Sequence, residues 1–228
     1  MQNHLKGLKR VWADSCRTMW IEILAVRNLE GFLKGRYFEI PQESQLTDIV
    51  FAPECKGRLN SLHKDYFLDN TSEFINNLTT MRVVLLSAAF EAFFYGFLDD
   101  YLKNRPKYFN TTTGARTAEG NQVYGQVKTE RGLVSKIQAF ASLTNSKTKS
   151  IAPKLPVLNE VYTLRNIIAH SAGICDAWAS QNLSIVPTKA GERVIISPDV
   201  LIQELAPPCL EIAESLSKKI IPAPLATG

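Results

Sequence analysis

The sequence predicts an all-α bundle with one small β-hairpin before its last helix. Two long segments, 5–34 and 72–103, carry apolar residues at helical spacing. Two shorter ones, about 129–143 and 157–170, do the same. Only around residues 183–197 does the pattern change to that of paired strands.

The first helix is read from Leu5, Leu8, Val11 and Trp12, continued by Met19, Ile23, Val26 and Leu29, with Gly35 as its stop. Pro41, Pro53 and Gly57 break up residues 36–68, where TDIVF (47–51) is a candidate short strand. Asp69, Asn70, Thr71 and Ser72 offer N-caps for the second helix, which runs from Ser72 to Lys103 and is closed by Pro106. Its middle, VVLLSAAFEAFFYGFL, is apolar on every side, which suits a bundle centre or a dimer interface. Residues 107–127 are polar and lack a period, so they read as a long mobile connection, weakly basic through Lys107, Arg116 and the adjoining Lys128.

Leu133, Ile137, Phe140 and Ala141 mark the third helix. Pro153 and Pro156 frame the next connection, and Val157, Val161, Leu164 and Ile168 give the fourth helix its stripe. LSIVP (183–187) and RVIIS (193–197) flank TKAGE as a hairpin. Ser197 then caps a last helix over about 198–219, with Pro198 at its first position and a kink at Pro207-Pro208. We read one domain over 1–220, with 1–68 as an N-terminal helical extension, 69–220 as the core and 221–228 as a flexible tail. No repeat is present.

Composition narrows the function classes. Of 228 residues, 45% are hydrophobic and 21% charged, as in an ordinary globular protein. A net charge of +4 permits an anionic partner without demanding one. The start lacks the apolar core of a signal peptide, and the 83–98 stretch contains Glu91 and is short for a membrane span. The expectation is a cytoplasmic protein with no membrane partner. Cys16, Cys55, Cys175 and Cys209 have no CxxC spacing and read as reduced thiols. There is no phosphate-binding glycine loop, no HExxH and no paired-Asp metal site, so neither cofactor nor metal is expected.

The chemistry concentrates in LRNIIAHSAG (164–173). Five residues apart, Arg165 and His170 are separated by roughly 140° around an ideal helix. They converge only if the helix ends or bends between them, and Ala172-Gly173 offers an ending. His170 then sits at a helix C-terminus, where the dipole favours a cation. An imidazole can move a proton near neutral pH, and a guanidinium can hold a phosphate through paired hydrogen bonds. RNA carries its own nucleophile, the 2′-hydroxyl. One proton carrier and one phosphate clamp therefore suffice to cleave it without a metal, leaving a 2′,3′-cyclic phosphate and a 5′-hydroxyl.

RNIIAH resembles the signature of the HEPN superfamily: Arg, a polar residue, a short spacer, then His. Arg165, Asn166 and His170 match it, and SAGICDAW is similar to the turn that follows the His in several HEPN groups. The helix SAAFEAFFYGFL resembles an earlier core helix of that fold, with Glu91 at a polar position seen in some groups. The likeness spans roughly 70–220. It implies a helical bundle, often a metal-independent endoribonuclease of toxin–antitoxin, abortive-infection or other antiviral systems, acting as a homodimer with a composite cleft. It implies His170 as proton carrier, Arg165 as phosphate clamp, and Asn166, Glu91 and Ser171 in supporting or RNA-binding places. It also implies an antitoxin or other regulatory partner.

The alternative is a non-catalytic HEPN-like subunit that binds RNA or nucleotides, or acts as an adaptor in a larger complex. Residue by residue, His170 can be read as a C-cap, Arg165 as the ion-pair partner of Glu160 or Asp176, and Glu91 as a buried, hydrogen-bonded structural carboxylate. His4 and His63 read as surface residues. Arg131, Lys136, Lys147, Lys149 and Lys154 read as a solvated basic stretch or as a cleft rim.

Overall fold

A computed structural model describes residues 3–41, 44–49 and 62–219. Helix α1 (Asn3–Gly35) lies along α3 (Lys64–Lys103), the hub on which α6 (Leu155–His170) and α9 (Ala206–Ser217) also pack. Leu8, Trp12, Met19 and Ile23 of α1 enter the same core as Phe90, Phe94, Phe97 and Leu98 of α3. An 18-residue window of α3 is apolar enough to cross a membrane by length and composition. Here its rings are core: Phe97 meets Phe140 edge-on at 5.1 Å, and Phe94 lies 6.1 Å from Phe97. Cys209 is buried in the same core, and burial pushes its thiol up to about 12.

Helix α3 begins eight residues before its expected start. The four candidate caps are inside it, where Asn70 Nδ2 donates to Tyr66 O (2.7 Å) and Thr71 Oγ1 to Phe67 O (2.9 Å), each one turn back. Tertiary contacts hold the extra turns. Phe67 packs with Leu33 and Leu46 in a small second core, and buried Lys64 donates to the carbonyls of Tyr37 and Ile40. Residues 47–49 of the candidate strand 47–51 belong to the single helical turn α2 (Leu46–Ile49), which puts Leu46 and Ile49 on one face toward that core. Residues 50–51, Cys55 and the tail 221–228 lie outside the described residues.

The connection over 107–127 is ordered, contrary to expectation. Strands β1 (Phe109–Asn110) and β2 (Ala115–Arg116) pair antiparallel around a turn in which Asn110 Oδ1 accepts from the amides of Thr112 and Thr113. Gly114 takes the positive φ (67°) that closes it. Arg116 pairs with Asp99 and lies 3.8 Å above the Tyr124 ring. Thr117 then caps α4 (Ala118–Thr129), accepting from Gly120 N at 3.1 Å, and donates to Lys107 O at 2.7 Å. Helix α5 (Leu133–Thr144) follows. Any side chain at Gly120 would overlap the Tyr108 carbonyl. Gly120→Ala is therefore expected to lower stability by about 1–3 kcal/mol, although alanine in an open helical site gains about 1 kcal/mol over glycine. Urea unfolding reads the difference. Gly125→Ala, whose Cβ would meet open space, is the control.

The expected hairpin over 183–197 does not form, because side chains take the hydrogen bonds a ladder would have made. Buried Glu160 accepts from the amides of Ser184, Ile185 and Val186 (3.0, 2.8 and 2.8 Å) and from Ser184 Oγ (2.8 Å). Asn76 of α3 accepts from Ile196 N (2.9 Å) and donates to Val194 O (3.1 Å). Residues 191–194 pair instead with 173–175, through Cys175 N to Glu192 O and Val194 N to Gly173 O. Ser197 caps α8 (Pro198–Val200) with Pro198 in its first turn, as the sequence indicates. A π-helical turn, Leu201–Leu205, precedes Pro207-Pro208 and relieves the backbone that these prolines would crowd.

Candidate functional site

Helix α6 presents two faces. Leu158, Val161, Leu164 and Ile167 are buried, a stripe set slightly off the expected one; Val157 and Ile168 are half-buried at its edge. Tyr162, Asn166 and His170 occupy the neighbouring face at four-residue steps, so they stack along one side of the helix. The helix ends at His170. Ser171 N and Gly173 N both donate to Ile167 O (3.0 and 3.1 Å), and Ala172 and Gly173 take positive φ values of 50° and 82°. This turn leaves His170 and Ser171 exposed at the tip.

After the turn, Asp176 caps the short helix α7 (Ala177–Ser180), its Oδ1 accepting from Ala179 N at 2.7 Å. Ala179 is buried and anchors α7, which holds Trp178 out beside α6. Between them lies an open cleft of about 390 Å³ whose walls include Arg165, Asn166, His170, Ser171, Asp176 and Trp178.

The structure brings Arg165 and His170 to one cleft by a route other than the expected one. The helix does not end between them. Arg165 reaches round from its own face, 5.9 Å from the Tyr162 ring centroid, and its Nη1 donates to Asn166 Oδ1 at 2.8 Å. Asn166, one turn before His170, thus draws the guanidinium toward the histidine's side. Among the described residues Arg165 has no ion-pair partner within 4 Å. Glu160 is engaged by the 184–186 amides, and Asp176 caps α7. Neither is the partner weighed from the sequence.

Glu91 is only half-buried and accepts no hydrogen bond among the described residues, which corrects the reading of a buried, hydrogen-bonded structural carboxylate. It lines a second recess that adjoins the first along Tyr162, Thr163, Asn166 and Trp178. Of the basic stretch, Arg131 and Lys136 line this recess. Lys136 is buried and donates to the carbonyls of Lys128 (3.2 Å) and Glu130, so it secures the α4–α5 turn. Lys154 pairs with Glu211 at 2.9 Å. His63 is half-buried, not a surface residue, and its buried Nδ1 has no partner among the described residues. His4 is partly exposed, with its Nε2 3.6 Å from Asp100. Neither histidine lines the two recesses. Among the described residues no three His, Cys, Asp or Glu side chains gather as a metal site.

Trp178 and Tyr162 went unnoticed as candidates in the sequence. The available signal was local: an Asp N-cap followed by an aromatic, six residues past the motif histidine. No family model, no curated protein and no solved structure matches the chain.

Proposed function

We propose that the protein is a metal-independent endoribonuclease. The observation that carries this reading is the shared cleft: a guanidinium without an ion-pair partner among the described residues, bonded to the Asn166 amide, and an exposed imidazole at a helix end. Arg165 holds the scissile phosphate and offsets the charge that develops on it. His170 takes the proton from the ribose 2′-hydroxyl, whose oxygen attacks the adjacent phosphorus. As the P–O2′ bond forms the P–O5′ bond breaks, and the 5′-oxygen takes up a proton, from the imidazolium so formed or from water, as it leaves. The ends are a 2′,3′-cyclic phosphate and a 5′-hydroxyl. Asn166 and Ser171 orient these groups.

A homodimer belongs to the same proposal. The outward side of α3 is an apolar stripe of Met81, Leu85, Ala88 and Ala92, with Met81 56% and Leu85 39% exposed. Met81 shares a groove with Ile168, Ala172 and Gly173, at the tip that carries His170. A second copy packed on that stripe brings two motif ends together over one RNA. The cellular role that fits is a toxin or antiviral effector restrained by a regulatory partner.

The test is cleavage of total cellular RNA in EDTA, with the product ends mapped. New 5′-hydroxyl ends, and no cleavage of DNA, are the expected result. Binding without cleavage would replace this reading with that of an RNA-binding subunit. Arg165→Lys supplies a graded check. It keeps the charge but loses the paired donors and the bond geometry to Asn166, so cleavage is expected to fall at least roughly ten-fold. Unchanged cleavage by Arg165→Lys would remove Arg165 from the phosphate.

A further inference from the structure

Past Asn166 the cleft continues into the second recess, about 500 Å³ in volume. Two features of its walls are not explained by packing. Trp178 is 62% exposed, although its helix is fixed by the Asp176 cap and by buried Ala179. Its indole N–H has no acceptor among the described residues. Glu91, on the facing helix α3, is a half-buried carboxylate with its oxygens free of hydrogen bonds among the described residues. A rigid, open aromatic face beside an unengaged carboxylate matches a nucleobase, which has a π-face to stack and an edge that donates. A phosphate suits its interior less well, because Glu91 and Glu130 line it too while Lys136 spends its donors on the Lys128 and Glu130 carbonyls, which leaves Arg131 on the rim as the cation free, among the described residues, to meet one.

We propose that this recess receives the nucleobase next to the scissile phosphate, stacked on Trp178, with Glu91 accepting hydrogen bonds from its Watson–Crick edge. Guanine is the base this selects. Its ring N–H and amino group lie side by side and meet both oxygens of one carboxylate. Adenine and cytosine set their amino group beside an acceptor, and uracil sets its single N–H between two. Arg131, exposed on the rim, is placed for the following phosphate. The assignment rests on the reading of the Arg165–His170 cleft as an RNA site, and its test is made separable from cleavage.

Single-stranded oligonucleotides with every 2′-oxygen methylated cannot be cleaved by the route above. One carries a single guanosine among uridines, and the other is uridine throughout. Their affinities are measured by fluorescence anisotropy for wild type, Trp178→Ala, Trp178→Phe and Glu91→Gln. Wild type is expected to prefer the guanosine strand. Trp178→Ala is expected to weaken its binding roughly ten-fold, the scale of one base–aromatic stack, and Trp178→Phe to restore most of it. Glu91→Gln is expected to level the two strands. Trp178 is exposed, so a folded protein is expected in each case, checked by circular dichroism. Equal binding by wild type and Trp178→Ala, or a strand preference untouched by Glu91→Gln, overturns the assignment. If natural RNA is nevertheless cleaved, the nuclease reading survives that result. Trp178-dependent, guanosine-selective binding without cleavage does the reverse, sustaining the base recess while removing the nuclease.

Discussion

His170→Ala is expected to abolish RNA cleavage while leaving the fold and the affinity for RNA in place. The imidazole is exposed, the helix-ending bonds to Ile167 O come from the amides of Ser171 and Gly173, and no core contact depends on the ring. Unfolding midpoints of wild type and variant should therefore agree closely, because exposed substitutions away from such features change stability by about 0.5 kcal/mol or less. Cleavage should fall by a factor on the order of 10² to 10⁴, the usual range for removing a positioned proton carrier. Binding of a 2′-O-methylated strand should change little, since Arg165 and the aromatic wall remain. His170→Ala cleaving at a tenth of the wild-type rate or faster, with the same product ends, would take the proton-transfer role away from His170. Growth offers a parallel readout. A toxin predicts poor tolerance of wild-type expression and normal tolerance of the variant, whereas equal tolerance of both counts against that role.

The sequence made some parts of this molecule legible and hid others, for physical reasons that can be named. Helices α1, α3 and α6 were readable because their burial follows the helical period over many turns. The start of α3 was not. Its first two turns are held by contacts to Leu33, Leu46 and the 37–40 carbonyls, while four good cap residues lay further on. The 107–127 segment concealed a hairpin and a helix because its order comes from Asn110, Thr117 and the Arg116–Asp99 pair, with few apolar residues to signal it. At the site, the spacing singles out Arg165 and His170 but not the way the two come to line one cleft. The rotation between Arg165 and His170 is as the helix dictates, but Arg165 is turned by its bond to the Asn166 amide, and no period encodes a side-chain bond. For Trp178 the local pattern offers only an aromatic after an Asp cap; the fold, which sets α7 against α6, makes it a wall.

The hairpin that the sequence indicated and the fold declined leads to the largest stability effect expected. Residues 183–187 and 193–197 alternate as strands do, and their amides need partners once buried. Glu160 on α6 accepts from three of these amides and from the Ser184 hydroxyl, and Asn76 on α3 accepts from one amide and donates to the Val194 carbonyl, so each segment is hooked to a helix and not to the other. Glu160 is 1% exposed, and the bond it accepts from Val186 N is fully buried. Glu160→Ala strips three backbone amides of their acceptor at once. Each orphaned buried group costs about 1–3 kcal/mol, so a loss of about 3 kcal/mol or more is expected, or roughly 6 °C or more in midpoint for a chain of this size. Glu160→Gln keeps the shape and one acceptor, and should lie between. Asn76→Ala should unhook the second segment at a smaller cost. A fall of under about 1 kcal/mol for Glu160→Ala would show that the 184–186 amides find other partners. Hydrogen exchange locates the damage: protection should vanish first across 176–186 while α3 stays closed. Because α7 carries Trp178 immediately upstream of that loop, the same variant should lose affinity for single-stranded RNA below its unfolding midpoint. The stability of the fold and the shape of the candidate site thus meet in one buried carboxylate on the helix that also bears Arg165 and His170.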